Sequence, residues 1–401
     1  MALQALMGRT AEVVATAAGA VRANIDRHGI GLVRGHGVLL TDRQVRVRDA
    51  DGSDRVLAAE AILLAPGSSP VHPAGIPFED PDVHDTVTIL RLDRIPRSLV
   101  VVGGGAVGCE YASIFTALGV SVTLLNPGKQ LLPFADAEAA EVMAAAFREV
   151  GMDVHLGVRA KDIVRAGGSL AVKLEDGTLL RPDKLLFAAG RRGNTDALGL
   201  EVAGVALDES GRIVVNERFE TTAPGIYAAG DVIGPPALAS ASMEQGRVAV
   251  CNAFGFPFKE AVDILVPLGV YSIPELAMVG MTEEQARAKN IDVETGRASF
   301  AQNTRATISG STDGFIKLVF RRDDRQLLGV HIVGEIAGEL IHVGQAVLHA
   351  GDTIDRFINT TFAVPTRTDL YKYAAYDGLQ RLAGHKSEGF MRSSSVPASS
   401  T

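Results

Sequence analysis

Apolar residues recur along this chain with two periods, and the switches between them divide it into elements. In residues 1–27, Leu3, Leu6, Met7, Val13, Val14, Ala17, Val21 and Ile25 fall near one another at a spacing of about 3.6, which predicts one long amphipathic helix. Residues 31–64 alternate instead. Val45-Arg46-Val47 and Val56-Leu57, separated by Asp51-Gly52, predict short antiparallel strands joined by a tight turn. The apolar run 61–65 then enters Pro66-Gly67-Ser68, a buried strand meeting a glycine turn. Residues 70–96 are rich in proline and read as a linker. Beyond them, the wholly apolar run 99–102 has the character of a strand covered on both faces of a parallel sheet. A helical pattern carrying Tyr111, Ile114, Phe115 and Leu118 follows, and 120–125 supplies a second strand. Residues 185–190 echo 63–67, which implies two similarly ended domains. A helix is expected from Ala239. In 265–382, strands at 315–320 and 327–333 alternate with helices at 282–289 and 337–348, a separate α+β domain.

The junction of the first buried strand and its helix reads Gly103-Gly104-Gly105-Ala106-Val107-Gly108. Gly-Xaa-Gly-Xaa-Xaa-Gly carries weight only between a strand and a helix, and here it lies inside a βαβ unit. Gly103 permits the tight turn, Gly105 lets a pyrophosphate approach the backbone, and Gly108 lets the helix pack closely; the helix end supplies amide donors and positive potential. At the end of the second strand an acid commonly bonds the adenine ribose of NAD and repels the phosphate of NADP. This strand ends in Asn126, with Lys129 nearby. An amide beside a cation neither excludes nor demands a 2′-phosphate, so one reading is an enzyme using NAD(H) and NADP(H) alike. The other is that Asn126 simply starts the turn Asn126-Pro127-Gly128. Glu110 is placed in the first turn of the helix, facing the dinucleotide or complementing the helix dipole. Cys109 reads as a packed helix residue.

Composition narrows the function class. The length of 401 residues predicts two or three domains at ~150 residues each. A net charge of −8 without a basic stripe argues against nucleic acid, which is held mainly by Lys and Arg on phosphates. No apolar run approaches the roughly 18 residues of a membrane span, and neither basic nor apolar signal regions open the chain, so a cytoplasmic protein is expected. Cys109 and Cys251 are too few for a disulfide framework and too far apart for a close-spaced redox pair. His331, His342 and His349 lack the ordered spacing of a metal cluster. The Ser-rich end is expected to be disordered.

These motifs together resemble the pyridine nucleotide-disulfide oxidoreductase superfamily. The resemblance runs through Gly-Xaa-Gly-Xaa-Xaa-Gly-Xaa-Glu ending at Glu110, Ala229-Gly230-Asp231, and Ile273-Pro274-Glu275 through Val279-Gly280. Within it, Gly108-Cys109-Glu110-Tyr111, Gly190-Arg191-Arg192-Gly193-Asn194, Gly230-Asp231-Val232-Ile233-Gly234 and Asn359-Thr360-Thr361-Phe362 look most like soluble transhydrogenases. The resemblance implies an α/β, Rossmann-like flavoprotein with two dinucleotide-binding domains: an FAD domain split into 1–72 and 191–262, a linker at 73–97, an NAD(P) domain at 98–190, an α+β domain at 263–383 that forms a homodimer, and a disordered tail at 384–401. It also implies that Asp231 bonds the flavin ribityl chain and that Glu110, as the catalytic residue, helps hold the nicotinamide; for Asp231 the alternative is a cap or turn. Candidate cofactor-binding residues are Gly67, Gly103, Gly105, Ala106, Val107, Gly108, Asn126, Lys129, Gly190, Arg191, Gly230, Asp231 and Ala239.

Two departures from the family pattern set the functional expectation. Disulfide-reducing members carry His-Pro-Thr with an acid three residues on; here the run is Val364-Pro365-Thr366, with Asp369 in the acid position. Valine cannot gain or lose a proton, so acid–base chemistry at a dithiol is disfavoured. Family members also open with a strand, a first glycine motif for FAD and a cysteine motif, whereas this chain opens at the helix that would follow them, as if Met1 were an internal methionine or the gene truncated. Uncovered apolar faces on 1–27 and 62–65 would then invite aggregation. The expectation is FAD-dependent hydride transfer between NADPH and NAD+, the alternatives being a dihydrolipoamide dehydrogenase-like disulfide reductase and a non-catalytic NAD(P)-binding dimer.

Overall fold

The computed structural model describes residues 3–384, so the expectation for the Ser-rich tail lies outside the described residues. Two compact units result, Met1–Pro96 with Leu186–Ile264 and Arg97–Leu185 with Leu265–Thr401.

The first unit begins with the long helix Leu3–Arg27. It buries no residue: Val13, Val14 and Val21 are all exposed. Next come the antiparallel strands His36–Leu39, Gln44–Arg48 and Asp54–Ala58. The expected turn at Asp51-Gly52 closes the second pair, with the Gly52 amide donating to the Asp49 carbonyl. Strand Ile62–Leu64 pairs in parallel with Ile226–Ala228, and Ser68–Pro70 pairs antiparallel with Arg191–Gly193. The run 61–65 is thus less covered than its composition predicts: Ile62 is buried beside Leu39, Ile213, Ile226 and Val232, while Leu63 is exposed. Alternation explains the difference, since neighbouring strand residues point to opposite faces. The expected helix spans Ala239–Phe254.

In the second unit, Ser98–Val102, Ser121–Asn126 and Asp153–Leu156 run parallel and in sequence, the βαβ arrangement that the glycine motif requires. Leu99, Val100 and Val101 are at most 2% exposed, as a strand covered on both faces must be. Residues 265–384 build an antiparallel sheet in the order Leu268–Val270, Leu276–Gly280, Leu327–Val333, Phe315–Arg321, Val293–Ser299. Helices Ala337–His349 and Leu370–Leu382 close its core. Phe300, Phe320 and Phe357 are fully buried there, each stabilising the fold by roughly 1.5–3 kcal/mol. The short helix Glu283–Ala288 falls within the expected 282–289, and Thr282 and Gln285 form a capping box at its start that satisfies two free amides.

Candidate functional site

The glycine loop is shaped by its own backbone and by the segment that follows the second strand. Gly103 has φ +122, a conformation that L side chains rarely adopt, and its amide donates to the Leu125 carbonyl at 2.9 Å. Gly105 is the N-cap of helix Ala106–Ala117, and no side chain caps that end. A Cβ added to Gly105 would meet nothing within 4 Å. Open space therefore lies over the uncapped first turn, Ala106, Val107 and Gly108, where free amides and the helix dipole favour an anion. With Ala106 as the first helical residue, Glu110 stands in the second turn, one turn beyond the expected position. The dipole acts mainly within the first turn, so Glu110 has another role in the fold.

That role is a bond to a distant segment. Glu110 Oε1 accepts the Tyr271 amide at 2.9 Å, and one turn later Ser113 Oγ accepts the Ile273 amide at 3.2 Å. The helix thereby holds the stretch 271–273 that leads into the cis bond Ile273–Pro274. Cys109 is fully buried, as expected; burial, with Glu110 alongside, pushes its thiol up to about 12.

Asn126 is buried and uses both ends of its amide internally. Its Oδ1 accepts the Gly104 amide at 3.3 Å, and Nδ2 donates to the Gly128 and Gln130 carbonyls at 3.1 and 2.7 Å. This geometry matches the turn reading. Lys129 is exposed on the same loop, and the Leu132 amide donates to the Gly104 carbonyl at 2.8 Å.

In the other unit a second constellation forms around Asp231, which heads the 3-10 turn Asp231–Ile233. Ser68 Oγ donates to Asp231 Oδ2 at 2.6 Å, Arg191 Nε donates to Ser68 Oγ at 2.8 Å, and Arg191 Nη2 donates to the Ser68 carbonyl at 2.7 Å. Arg191 Nε also lies 4.0 Å from Asp231. Around them, Asn194 donates to the Pro66 carbonyl at 2.9 Å and its backbone amide bonds the Gly67 carbonyl. Gln245 accepts the Gly230 amide at 2.8 Å, and Gly190 takes φ +128 where the strand Lys184–Phe187 turns. Ala239 opens helix Ala239–Phe254, whose N-terminus has no side-chain cap. Sequence reading had singled out Gly67, Gly190, Arg191, Gly230, Asp231 and Ala239. It missed Ser68, Asn194 and Gln245 as site residues; Ser68 carried a signal by its place directly after Gly67 and Asn194 by its place in the stretch 190–194, whereas Gln245 carried none.

Near the C-terminus, Val364 is 74% exposed and precedes a cis proline. Asp369 accepts a hydrogen bond from Asn303 Nδ2 at 2.6 Å, and burial raises its pKa. Its partner is thus an amide that does not titrate. His331 bonds the Met281 carbonyl and His342 bonds Gln345; among the described residues no three His, Cys, Asp or Glu side chains gather to hold a metal.

Comparison with known proteins follows the same division. The pyridine nucleotide-disulphide oxidoreductase family matches residues 2–246, and the dimerisation domain of that family matches 266–375. Soluble pyridine nucleotide transhydrogenases from Marinomonas sp. and Photobacterium profundum are 39% and 40% identical over 359 and 361 residues, covering 89% of this chain and 77% of each relative. Among solved structures, the HOCl-induced flavoprotein disulfide reductase RclA from Escherichia coli superposes with a TM-score of 0.87 at 28% identity, over 94% of this chain and 86% of that one. LpdA from Mycobacterium tuberculosis does so at 0.87 and 29%, over 94% and 83%. With the open glycine loop, the Asp231 constellation and both family matches, the chain belongs to the pyridine nucleotide-disulphide oxidoreductase family.

Proposed function

We propose that this chain performs hydride transfer between NADPH and NAD+ with FAD as its cofactor, the activity by which its relatives at about 39% identity are named. The observation that carries the choice over disulfide reduction is the environment of Asp369. Its neighbour in the fold is Asn303, and the chain has Val364 where a proton-carrying histidine would be needed. Hydride exchange needs no such relay.

The residues present fit both groups. At the nucleotide site, the uncapped helix end with open space over Gly105 suits a pyrophosphate. Gly103, Gly105, Ala106, Val107 and Gly108 approach it through the backbone, and Lys129 is available to a ribose phosphate. Asn126 shapes the loop and carries no charge that would reject either nucleotide, in keeping with use of NAD(H) and NADP(H) alike. Glu110 holds the 271–273 backbone and is the candidate catalytic positioning group. At the flavin site, Asp231 is held by Ser68 and Arg191, in position to accept from a ribityl hydroxyl, while Gly67, Gly190, Gly230 and the helix end at Ala239 form its surroundings. Bound flavin supplies the two-electron chemistry that accepts and returns a hydride.

Among the described residues no helix is long and apolar enough to cross a membrane, and both cysteines are free and buried. We place the enzyme in the cytoplasm as a homodimer formed through residues 263–383. The test is to load the purified chain with FAD, remove unbound flavin and follow reduction of an NAD+ analogue by NADPH. Retained flavin with analogue reduction is the expected result. Retained flavin that reduces lipoamide or glutathione disulfide but not the analogue would replace this reading with a disulfide reductase. Nucleotide binding without flavin would leave a non-catalytic binder.

A further inference from the structure

We infer that Lys317 is a positioning residue for dinucleotide binding, acting through Asp136 on the segment that backs the glycine loop. The inference rests on the reading of residues 103–108 as the NAD(P) site. It starts from a buried charge: Lys317, in the middle of strand Phe315–Arg321, is 1% exposed. An ammonium so placed is strongly destabilising unless it is paired and fully hydrogen-bonded. Here Nζ lies 3.0 Å from both carboxylate oxygens of Asp136, 3.0 Å from Glu138 Oε2 and 2.8 Å from Glu283 Oε2. Arg297 holds both oxygens of Glu138 from the neighbouring strand. Burial alone would lower the Lys317 pKa, but Glu283 and Asp136 more than reverse that and raise it. Asp136, although buried, is held below the usual carboxylate range by the nearby His331 and Lys317 and by the Glu283 amide. The group is therefore ionic, with the acids Asp136 and Glu138 on the nucleotide-binding segment and Lys317 and Arg297 on the antiparallel sheet.

From Asp136 a continuous set of bonds leads back to Gly104. Asp136 is the N-cap of helix Ala137–Glu149, its side chain accepting the Ala139 amide, and it also accepts the Glu283 amide. Just before it, the Ala135 amide donates to the Leu132 carbonyl at 2.8 Å, and Gln130 Nε2 donates to the Ala135 carbonyl at 3.3 Å. Leu132 bonds the Gly104 carbonyl, and Asn126 bonds the Gly104 amide. Both polar groups of Gly104 are thus held by residues 126–132, and Leu131, fully buried, packs against its Cα. This segment is pinned at two ends, by strand Ser121–Asn126 and by the ion pair of Asp136 with Lys317. Releasing the second pin frees the backing of the loop without touching any residue that meets a nucleotide.

Asp136→Ser is the test, because serine still caps the helix and Lys317 keeps two glutamates. Three quantities would be measured: the Kd for NADPH and for NADH by fluorescence titration, kcat at saturating nucleotide, and amide exchange along the chain. Expected are a rise of roughly tenfold in both Kd values, an unchanged kcat, and faster exchange confined to residues 103–105 and 126–136. Unchanged affinities would overturn the inference, as would equally faster exchange in 315–333, which would mean general loss of stability. Lys317→Met should have the same effect more strongly; if it fails to fold, Asp136→Ser decides alone. A wild-type chain that binds neither nucleotide would remove the functional reading, and the tether would then stand or fall on exchange at 126–136.

Discussion

A methyl group on Gly104 would stand 2.7 Å from Asn126 Cγ and 2.8 Å from Leu131 Cδ2, both in buried side chains that are held in place. We therefore expect Gly104→Ala to lower stability by roughly 1–3 kcal/mol, as overpacking does, and to abolish nucleotide binding while flavin retention, which we propose to rest on Asp231 and its partner Ser68, is unaffected. Melting curves with and without NADPH and the flavin content of the purified variant check both halves. Cys109 makes a second residue-scale case. A thiol pushed up to about 12 inside the helix is scarcely ionised at neutral pH, and the thiolate is the reactive form. Thiol reagents should label Cys109 only after denaturant is added; rapid labelling of the native protein would contradict the packed position. At this scale the shape of the glycine loop was legible where the backbone sets it, at Gly103 with its positive φ and at Gly105, which opens an uncapped helix. It was not legible where a side chain chooses among partners. Whether Asn126 reads a ribose or ties its own loop depends on how far the Gly128 and Gln130 carbonyls lie from it, and Ser68 meets Asp231 across a gap in sequence that no local pattern encodes.

Among the elements, the proline-rich stretch 70–96 departs most from its expected character as a plain linker. Val83 and Ile89 in it are 3% exposed, the His72 ring stacks on Phe78 at 4.0 Å, and Asp85 organises the turn into the 3-10 helix Thr88–Arg91. Asp85 Oδ1 accepts the Val87 and Thr88 amides at 2.8 and 2.7 Å, and Oδ2 meets His72 Nε2 at 2.8 Å. Burial would raise the Asp85 pKa, but the Thr88 amide, His72 and the Val87 amide together depress it from 3.8 to about 2. A carboxyl depressed in the folded state contributes stability that is present above its unfolded value and is lost as pH falls through its folded value. Between about pH 4 and pH 2 the wild-type protein should lose more stability than Asp85→Asn, measured by denaturant unfolding at each pH; parallel losses would show that the interaction contributes nothing. Proline marks where regular structure stops, and it does not report whether the irregular chain is packed. The long helix Leu3–Arg27 shows the converse limit, because its period announced an apolar face and could not name what covers it.

For the whole molecule, the order of domains in sequence is not the order of packing. The segment that carries the nucleotide loop and residues 265–384 fall in one compact unit, although 79 residues of the other unit, Leu186–Ile264, separate them along the chain. The glycine motif after residues 99–102 made the βαβ arrangement of the second unit legible. The grouping was not, because it depends on ions such as Lys317 that look like surface residues in a one-dimensional reading. At this scale the expectation is one of specificity: the flavin-loaded protein should pass a hydride between nucleotides while leaving lipoamide and glutathione disulfide oxidised, as assayed by thiol release. Appreciable thiol release would require a proton carrier near Asp369, a part that Val364 cannot play.

The buried ionic group also limits how such a protein can be rearranged by recombination. A crossover that brought residues 97–185 from one relative and 265–384 from another would inherit Asp136 and Glu138 from one parent and Lys317 and Arg297 from the other. If the second parent lacks a cation at 317, Asp136 becomes a buried ion without its partner, which is strongly destabilising; if the first lacks the acids, Lys317 keeps only Glu283. The segment that carries the glycine loop is therefore not a portable cassette: it is inherited together with the sheet on which its helix is anchored.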